Sequence, residues 1–225
     1  MINRKKIFGV IRKINGGKID QAQVDAWNFI FDKLDADDDF QALSPAVRAK
    51  YFAYILVTIW WETAHTARPI KERGGESYLR RKKYYPYYGR GYVQLTWDFN
   101  YDKFGLFLGI DLKNHPEYAY DRENAWAILK EGMTDKDKGF DDPEFTAFSL
   151  EDFFTETKTD FVGARKIING SDKARTIAGY AEQLYAGIEF VEVSEPAAQA
   201  EAIEGENIEV NPEPYPAEMT EEGKV

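Results

Sequence analysis

With 225 residues, 44% of them hydrophobic and 15% aromatic, the chain has the length and apolar content for one sizeable core, which a disordered chain lacks. It contains no cysteine, which excludes disulfides, thiolate metal sites and a cysteine nucleophile. The net charge of −10 is unevenly spread: residues 191–225 hold ten Glu and one Lys, whereas residues 68–90 hold eight Arg or Lys against Glu72 and Glu76. A short basic stretch confined to one loop disfavours nucleic-acid binding.

In chain order, the first 45 residues read as helical. The apolar run at 7–11 is interrupted by Gly9 and is too short for a secretory signal, so a cytosolic product is expected. Asp20 can cap a helix on which Val24, Trp27, Ile30, Phe31 and Leu34 recur at helical spacing. The run Asp35-Ala36-Asp37-Asp38-Asp39 lacks the Gly and the closing Glu of a calcium loop and reads as a solvated turn. Ser44-Pro45 pairs a cap with Pro at the first helical position. The helix it opens is apolar nearly all round from Phe52, which predicts a central buried helix running to about Ala64 and ended by Arg68-Pro69. Its apolar run covers only residues 51–61, against the ~20 that a membrane span needs, so no stable membrane insertion is expected.

From 66 to 91 the spacing of Gly74-Gly75, Pro86, Gly89 and Gly91 predicts loop or short strand, then an extended turn at 92–95. Thr96 is the expected cap of a helix from about Trp97 to Phe104. Further helices are predicted at 121–132 with Asp121 as cap, at about 150–156, at 160–168, and at 172–189 with Ser171 as cap after an Asn169-Gly170 break. Strand signals are few, and the expected class is mainly α. Beyond 190 Pro, Ala and Glu dominate, so residues 1–190 are expected to form one domain and 191–225 an acidic disordered tail.

The chemistry concentrates in residues 60–101. Glu62 sits at the end of the apolar helix beside Trp60 and Trp61, a setting that disfavours the charged form of a carboxyl. Glu72 lies between Lys71 and Arg73 and is expected to stay ionised. Glycosidic cleavage needs such a contrast, with one carboxyl donating to the leaving oxygen and the other activating water. Glu76 is a rival for the second role. Glu62 and His65 could face one metal, but no third ligand stands at metal spacing. No nucleophile elbow is present, and Gly89-x-Gly91 is too short for a nucleotide loop. No metal or cofactor is expected.

The strings Glu62-Thr63, Tyr88-Gly89-Arg90-Gly91-x-x-Gln94-Leu95-Thr96, Asn100-Tyr101 and Ile167-Ile168-Asn169-Gly170 followed by Arg175 resemble glycoside hydrolase family 19. That family holds chitinases of lysozyme-like fold and related phage endolysins. The opening residues, from Arg4-Lys5-Lys6 to Val24-Asp25, look like the phage-type members, and the likeness extends over roughly residues 4–190. The resemblance implies a two-lobed helical domain with a cleft, Glu62 as general acid and Glu72 as general base in an inverting mechanism. It also implies substrate contacts at Tyr88, Arg90, Gln94, Thr96, Asn100, Asn169 and Arg175. The family's His before the acid is Trp61 here, and the loop between the acids is shorter than in plant chitinases. The expected partner is a polysaccharide, peptidoglycan or chitin, met by a monomer made in a host cytoplasm and acting on the wall after release. A catalytically silent wall-binding module is the remaining alternative.

Overall fold

The computed structural model describes residues 1–134 and 145–192. Caps set the first helices. Asn3 opens α1 (Arg4–Ile14) by accepting from the Lys6 N–H. Asp20 opens α2 (Gln21–Ala36) in a full capping box with Gln23, and Trp27, Ile30, Phe31 and Leu34 form its buried stripe. The acidic run is more than a solvated turn. Asp37 caps the short α3 (Asp38–Gln41), accepting from the Asp39 and Phe40 N–H groups, and pairs with Lys130 at 2.6 Å.

Ser44 caps α4 (Pro45–Glu62), and every residue from Ala49 to Trp60 is buried, so this is the expected central helix. It stops at Glu62, short of Ala64, and Pro69 is not its terminator. Thr63 donates its hydroxyl to the Ile59 carbonyl at 2.7 Å and accepts from the Ala67 N–H at 3.0 Å. Ala64 and His65 turn to φ +50° and +69° within that network, which closes the helix locally.

A loop-rich lobe follows. β1 (Ile70–Lys71) and β2 (Arg90–Gly91) pair antiparallel in the register Ile70↔Gly91 and Lys71↔Arg90, with the short α5 (Glu76–Leu79) between them. Thr96 does not cap α6 (Asp98–Leu108). Trp97, at φ +76°, holds that position without a side-chain cap, and the Thr96 hydroxyl donates to the Gln94 carbonyl instead. Asp121 caps α7 (Arg122–Met133) as expected.

The helix expected at about 150–156 is a single 3₁₀ turn, Leu150–Asp152. After it a bridge joins Phe154 to Thr159, and the buried Lys50 ammonium donates to the Thr155 and Lys158 carbonyls at 2.6 and 3.1 Å. The helix expected at 160–168 is a 3₁₀ turn, Gly163–Arg165, followed by α8 (Lys166–Asn169). Gly170 breaks the chain there at φ +53°. α9 (Ala174–Gly187) starts without a Ser171 hydroxyl cap: Lys173 stands at the cap in the left-handed region, and Ser171 offers its carbonyl to the Ala174 N–H.

α9 packs on α4 and on α1, which places the core among these helices. Ile2 bridges Phe190, and Met1 exchanges backbone bonds with Val191, so the first residue of the expected tail belongs to the body. Residues 193–225 of that tail lie outside the described residues. Among the described residues no helix is long and apolar enough to cross a membrane.

Candidate active site

Glu62 ends α4 where the polar surface begins. Its Oε1 accepts from Arg165 Nη1 at 2.6 Å, in an ion pair whose side chains are 11% and 3% exposed. Arg165 Nε also donates to the Asp172 carbonyl at 3.1 Å, so one guanidinium ties the end of α4 to the turn after Asn169-Gly170. The setting expected from Trp60 and Trp61 is therefore incomplete, since the acid faces a buried cation. Two helical turns earlier on α4, the buried Tyr54 hydroxyl has no hydrogen-bond partner among the described residues, and burial pushes its phenol pKa up.

His65 lies just beyond, stacked on Trp60 with ring centroids 3.9 Å apart. Burial, and then the Arg73 charge, hold its imidazole below the ordinary 6.5. Ala64, His65 and Ala67 all have positive φ. Such conformations persist only where surrounding contacts enforce them, and here they follow directly on Glu62.

Glu72 follows β1 and is held by neutral donors. Tyr84 donates its hydroxyl to Oε1 at 2.7 Å, and the Gly89 N–H donates to Oε2 at 3.1 Å. The Glu72 N–H returns a 2.6 Å bond to the Gly89 carbonyl. No ion pair joins Glu72 to its neighbours Lys71 and Arg73 among the described residues. Glu76 is exposed at the start of α5, where Tyr85 and Arg80 both donate to its Oε1 at 2.9 Å. Those bonds, Tyr85 first, lower its carboxyl pKa.

The glycine-rich string builds the wall behind Glu72. A side chain on Gly89 would meet Gln94 Oε1 at 2.8 Å, so the Gln94 amide packs directly on the residue that binds Glu72. Gln94 Nε2 donates to the Ile70 carbonyl at 3.0 Å, Thr96 to Gln94, and Asn100 Nδ2 to the Thr96 carbonyl at 2.8 Å. Gln94, Thr96 and Asn100 thus form a chain of hydrogen bonds from β1 to α6. Arg90 is 6% exposed, and its Nη1 donates to the Pro86 and Tyr88 carbonyls and to the Tyr101 hydroxyl. Its guanidinium lies 3.8 Å from the Tyr88 ring centroid. Arg90 and Thr96 therefore frame the loop from inside, whereas sugar contacts were expected of them. Tyr88 and Asn169 are half-buried, and Arg175 is exposed on the first turn of α9.

Arg165 and Tyr84 escaped the sequence reading. Arg165 stands out of helical phase with the apolar Ala164 and Ile167 and so gave no signal of its burial, and Tyr84 stood in an undifferentiated aromatic run. Among the described residues no three side chains could hold a metal ion. Two shallow hollows lie elsewhere, one beside Phe40 and Lys130 and one beside Leu106 and Lys113, and neither includes Glu62 or Glu72.

A bacterial family 19 chitinase of known structure superposes on 79% of this chain and 92% of its own, at 21% identity and a TM-score of 0.51. The fold is that of the family 19 chitinases. A chitinase C mutant agrees, covering 82% of this chain and 92% of its own at 19% identity and a TM-score of 0.50. The family 19 resemblance read from the sequence and the mainly helical, lysozyme-like class are both borne out. Sequence relatives match short stretches. Endochitinase A2 of Pisum sativum is 33% identical over 54 residues, 21% of this chain and 17% of that protein. An endochitinase of Arabidopsis thaliana is 31% identical over 93 residues, 37% of this chain and 35% of that protein. The inactive chitinase-like protein 1 of Hevea brasiliensis is 55% identical over 31 residues, 14% of this chain and 10% of that protein. The chain thus spans about a sixth of the first curated relative it matches. No protein-family model matches the chain.

Proposed function

We propose that this chain is an endolysin-type glycosidase that hydrolyses β-1,4 bonds of cell-wall peptidoglycan, with Glu62 as general acid and Glu72 as general base. The observation that supports this is that hydrogen bonds fix the orientation of both carboxylates within a family 19 fold. Glu62 is fixed through Oε1 by Arg165, while Oε2 has no partner among the described residues and can carry the proton for the leaving oxygen. Glu72 is fixed through both oxygens by neutral donors, and each oxygen keeps a second lone pair for a water. An attacking water between the two acids gives inversion at the anomeric carbon, a mechanism associated with carboxyl separations of roughly 6.5–9.5 Å. Glu76 is the weaker candidate, because it is exposed and Arg80 shares the oxygen that Tyr85 binds.

The exposed Lys71, Arg73, Arg81 and Lys83 support a wall substrate, since their field attracts an anionic polymer. On this reading the chain works as a monomer on a polysaccharide and reaches the wall after release from a host cytoplasm. A chitinase acting on unbranched N-acetylglucosamine polymers is the second reading, favoured by the chitinases among its structural neighbours. A silent binding module is a third, with Trp61 and the inactive relative in its favour.

Digestion of purified sacculi and of chitin oligomers, with product mass spectrometry, separates the three. The first reading predicts muropeptides with new reducing ends. Chitooligomers alone would support the second. Binding without cleavage, unchanged by Glu62→Gln, would support the third.

A further inference from the structure

Two adjacent tyrosines each hold one of the two acids that compete for the role of base. Tyr84 donates to Glu72 Oε1 at 2.7 Å, and Tyr85 donates to Glu76 Oε1 at 2.9 Å. The surroundings of the two pairs differ. The Tyr84 ring is half-buried and meets the Trp97 ring edge-on, with centroids 5.4 Å apart. Trp97 in turn stacks at 6.3 Å on Phe99, which is 60% exposed. Trp97 is itself fixed by its N–H bond to the Tyr87 carbonyl at 2.9 Å and by a backbone at φ +76°. Tyr85 and Glu76 are both exposed, and Arg80 shares the Glu76 oxygen.

The geometry points to Tyr84 as the positioning residue of Glu72: its hydroxyl and the Gly89 N–H clamp opposite oxygens and fix the direction in which the carboxylate presents its free lone pairs. This rests on the reading of Glu72 as general base. A carboxylate held through one oxygen rotates about its last side-chain bond; held through both, it keeps one plane. A base must lie within hydrogen-bond reach of the proton it takes, so that plane decides whether the water is met correctly. The hydroxyl can donate only while protonated. Burial, and then the Glu72 bond, raise the Tyr84 phenol well above its ordinary 10, so it stays a donor through the neutral range. The titratable groups facing it are Glu72, Lys82 and Tyr78. The Trp97 ring fixes the phenol from its other side, coupling the base to the aromatic surface formed with Phe99.

The test is steady-state kinetics on a soluble N-acetylglucosamine oligomer or on sacculi, whichever the wild type cleaves, with pH profiles. Tyr84→Phe keeps the ring and removes the donor. It is expected to lower kcat about tenfold with KM within about twofold, and to move the acid limb of the profile to higher pH, because the ionised base has lost a charge-assisted bond. Replacing Tyr84 with 3-fluorotyrosine, which keeps the shape and strengthens the donor, moves that limb to lower pH. This second variant decides the matter where Tyr84→Phe is poorly folded. Tyr85→Phe is expected to match the wild type.

If Glu72→Gln abolishes cleavage while Tyr84→Phe and the fluorinated protein both keep wild-type profiles, the positioning role is overturned and the base assignment stands. If Glu72→Gln cleaves normally, the base assignment itself fails. A kcat loss in Tyr85→Phe together with Glu76→Gln would move both roles to the neighbouring pair.

Discussion

Glu62 and Glu72 sit in contrasting surroundings, and the contrast is the reverse of what their sequence neighbours suggest. Glu62 grows out of an apolar helix flanked by tryptophans, yet it is the one paired with a buried cation, Arg165. Glu72 stands between Lys71 and Arg73, yet it is held by a phenol and a backbone amide. Partners in sequence are not partners in space. At the Glu62 end, a single guanidinium joins the end of α4 to the turn that precedes α9. At the Glu72 end, a glycine-rich loop supplies uncharged donors. The helical side fixes its acid through charge, and the loop side fixes its acid through shape.

Removing the acids themselves should break this comparison most completely. Glu62→Gln is expected to lower hydrolysis by about 10²–10⁴-fold, the usual contribution of a general acid, measured as reducing ends released. Glu72→Gln should fall in the same range, whereas Glu76→Gln should stay within about twofold of the wild type.

Arg165→Leu tests the helical side. It strands a buried carboxylate and should cost about 3–5 kcal/mol in denaturant unfolding, along with most of the activity. A loss below about 1 kcal/mol would mean that the pair behaves like a surface bridge.

Gly89→Ala tests the loop side. The added methyl displaces the Gln94 amide and disturbs the N–H on Glu72, for an expected loss of about 1 kcal/mol and about tenfold in activity.

The smallest effect concerns pH. The folded pKa of His65 lies below its unfolded 6.5, so under pH 6.5 the unfolded chain takes up that proton first and stability falls as pH drops toward the folded value. Above pH 6.5 the contribution vanishes. His65→Asn, which tolerates the left-handed backbone, should remove that slope in thermal unfolding measured from pH 7 to 5.

The helices with strong local signals were legible. Asp20, Ser44-Pro45 and Asp121 cap where their side chains can reach the first-turn amides, because a cap is a local interaction. Thr96 and Ser171 have the right chemistry and do not cap, because the adjoining Trp97 and Lys173 adopt positive φ and take the cap position. The segments expected as helices at 150–156 and 160–168 are shorter, since Lys50 binds the carbonyls of one loop and Arg165 turns into the core from the other. Such long-range bonds leave no periodic trace. At the site, the YGRGxxQLT string located the loop, while its burial of Arg90 and Thr96 depends on which way that loop turns.

The stereochemistry of cleavage tests the two-carboxylate account most directly. Proton NMR of the first products released from a β-1,4-linked N-acetylglucosamine oligomer or from sacculi reports the configuration of the new anomeric carbon before it equilibrates. The account predicts the α-anomer from the wild type and no product from Glu62→Gln. The β-anomer, or undiminished product from Glu62→Gln, would contradict it.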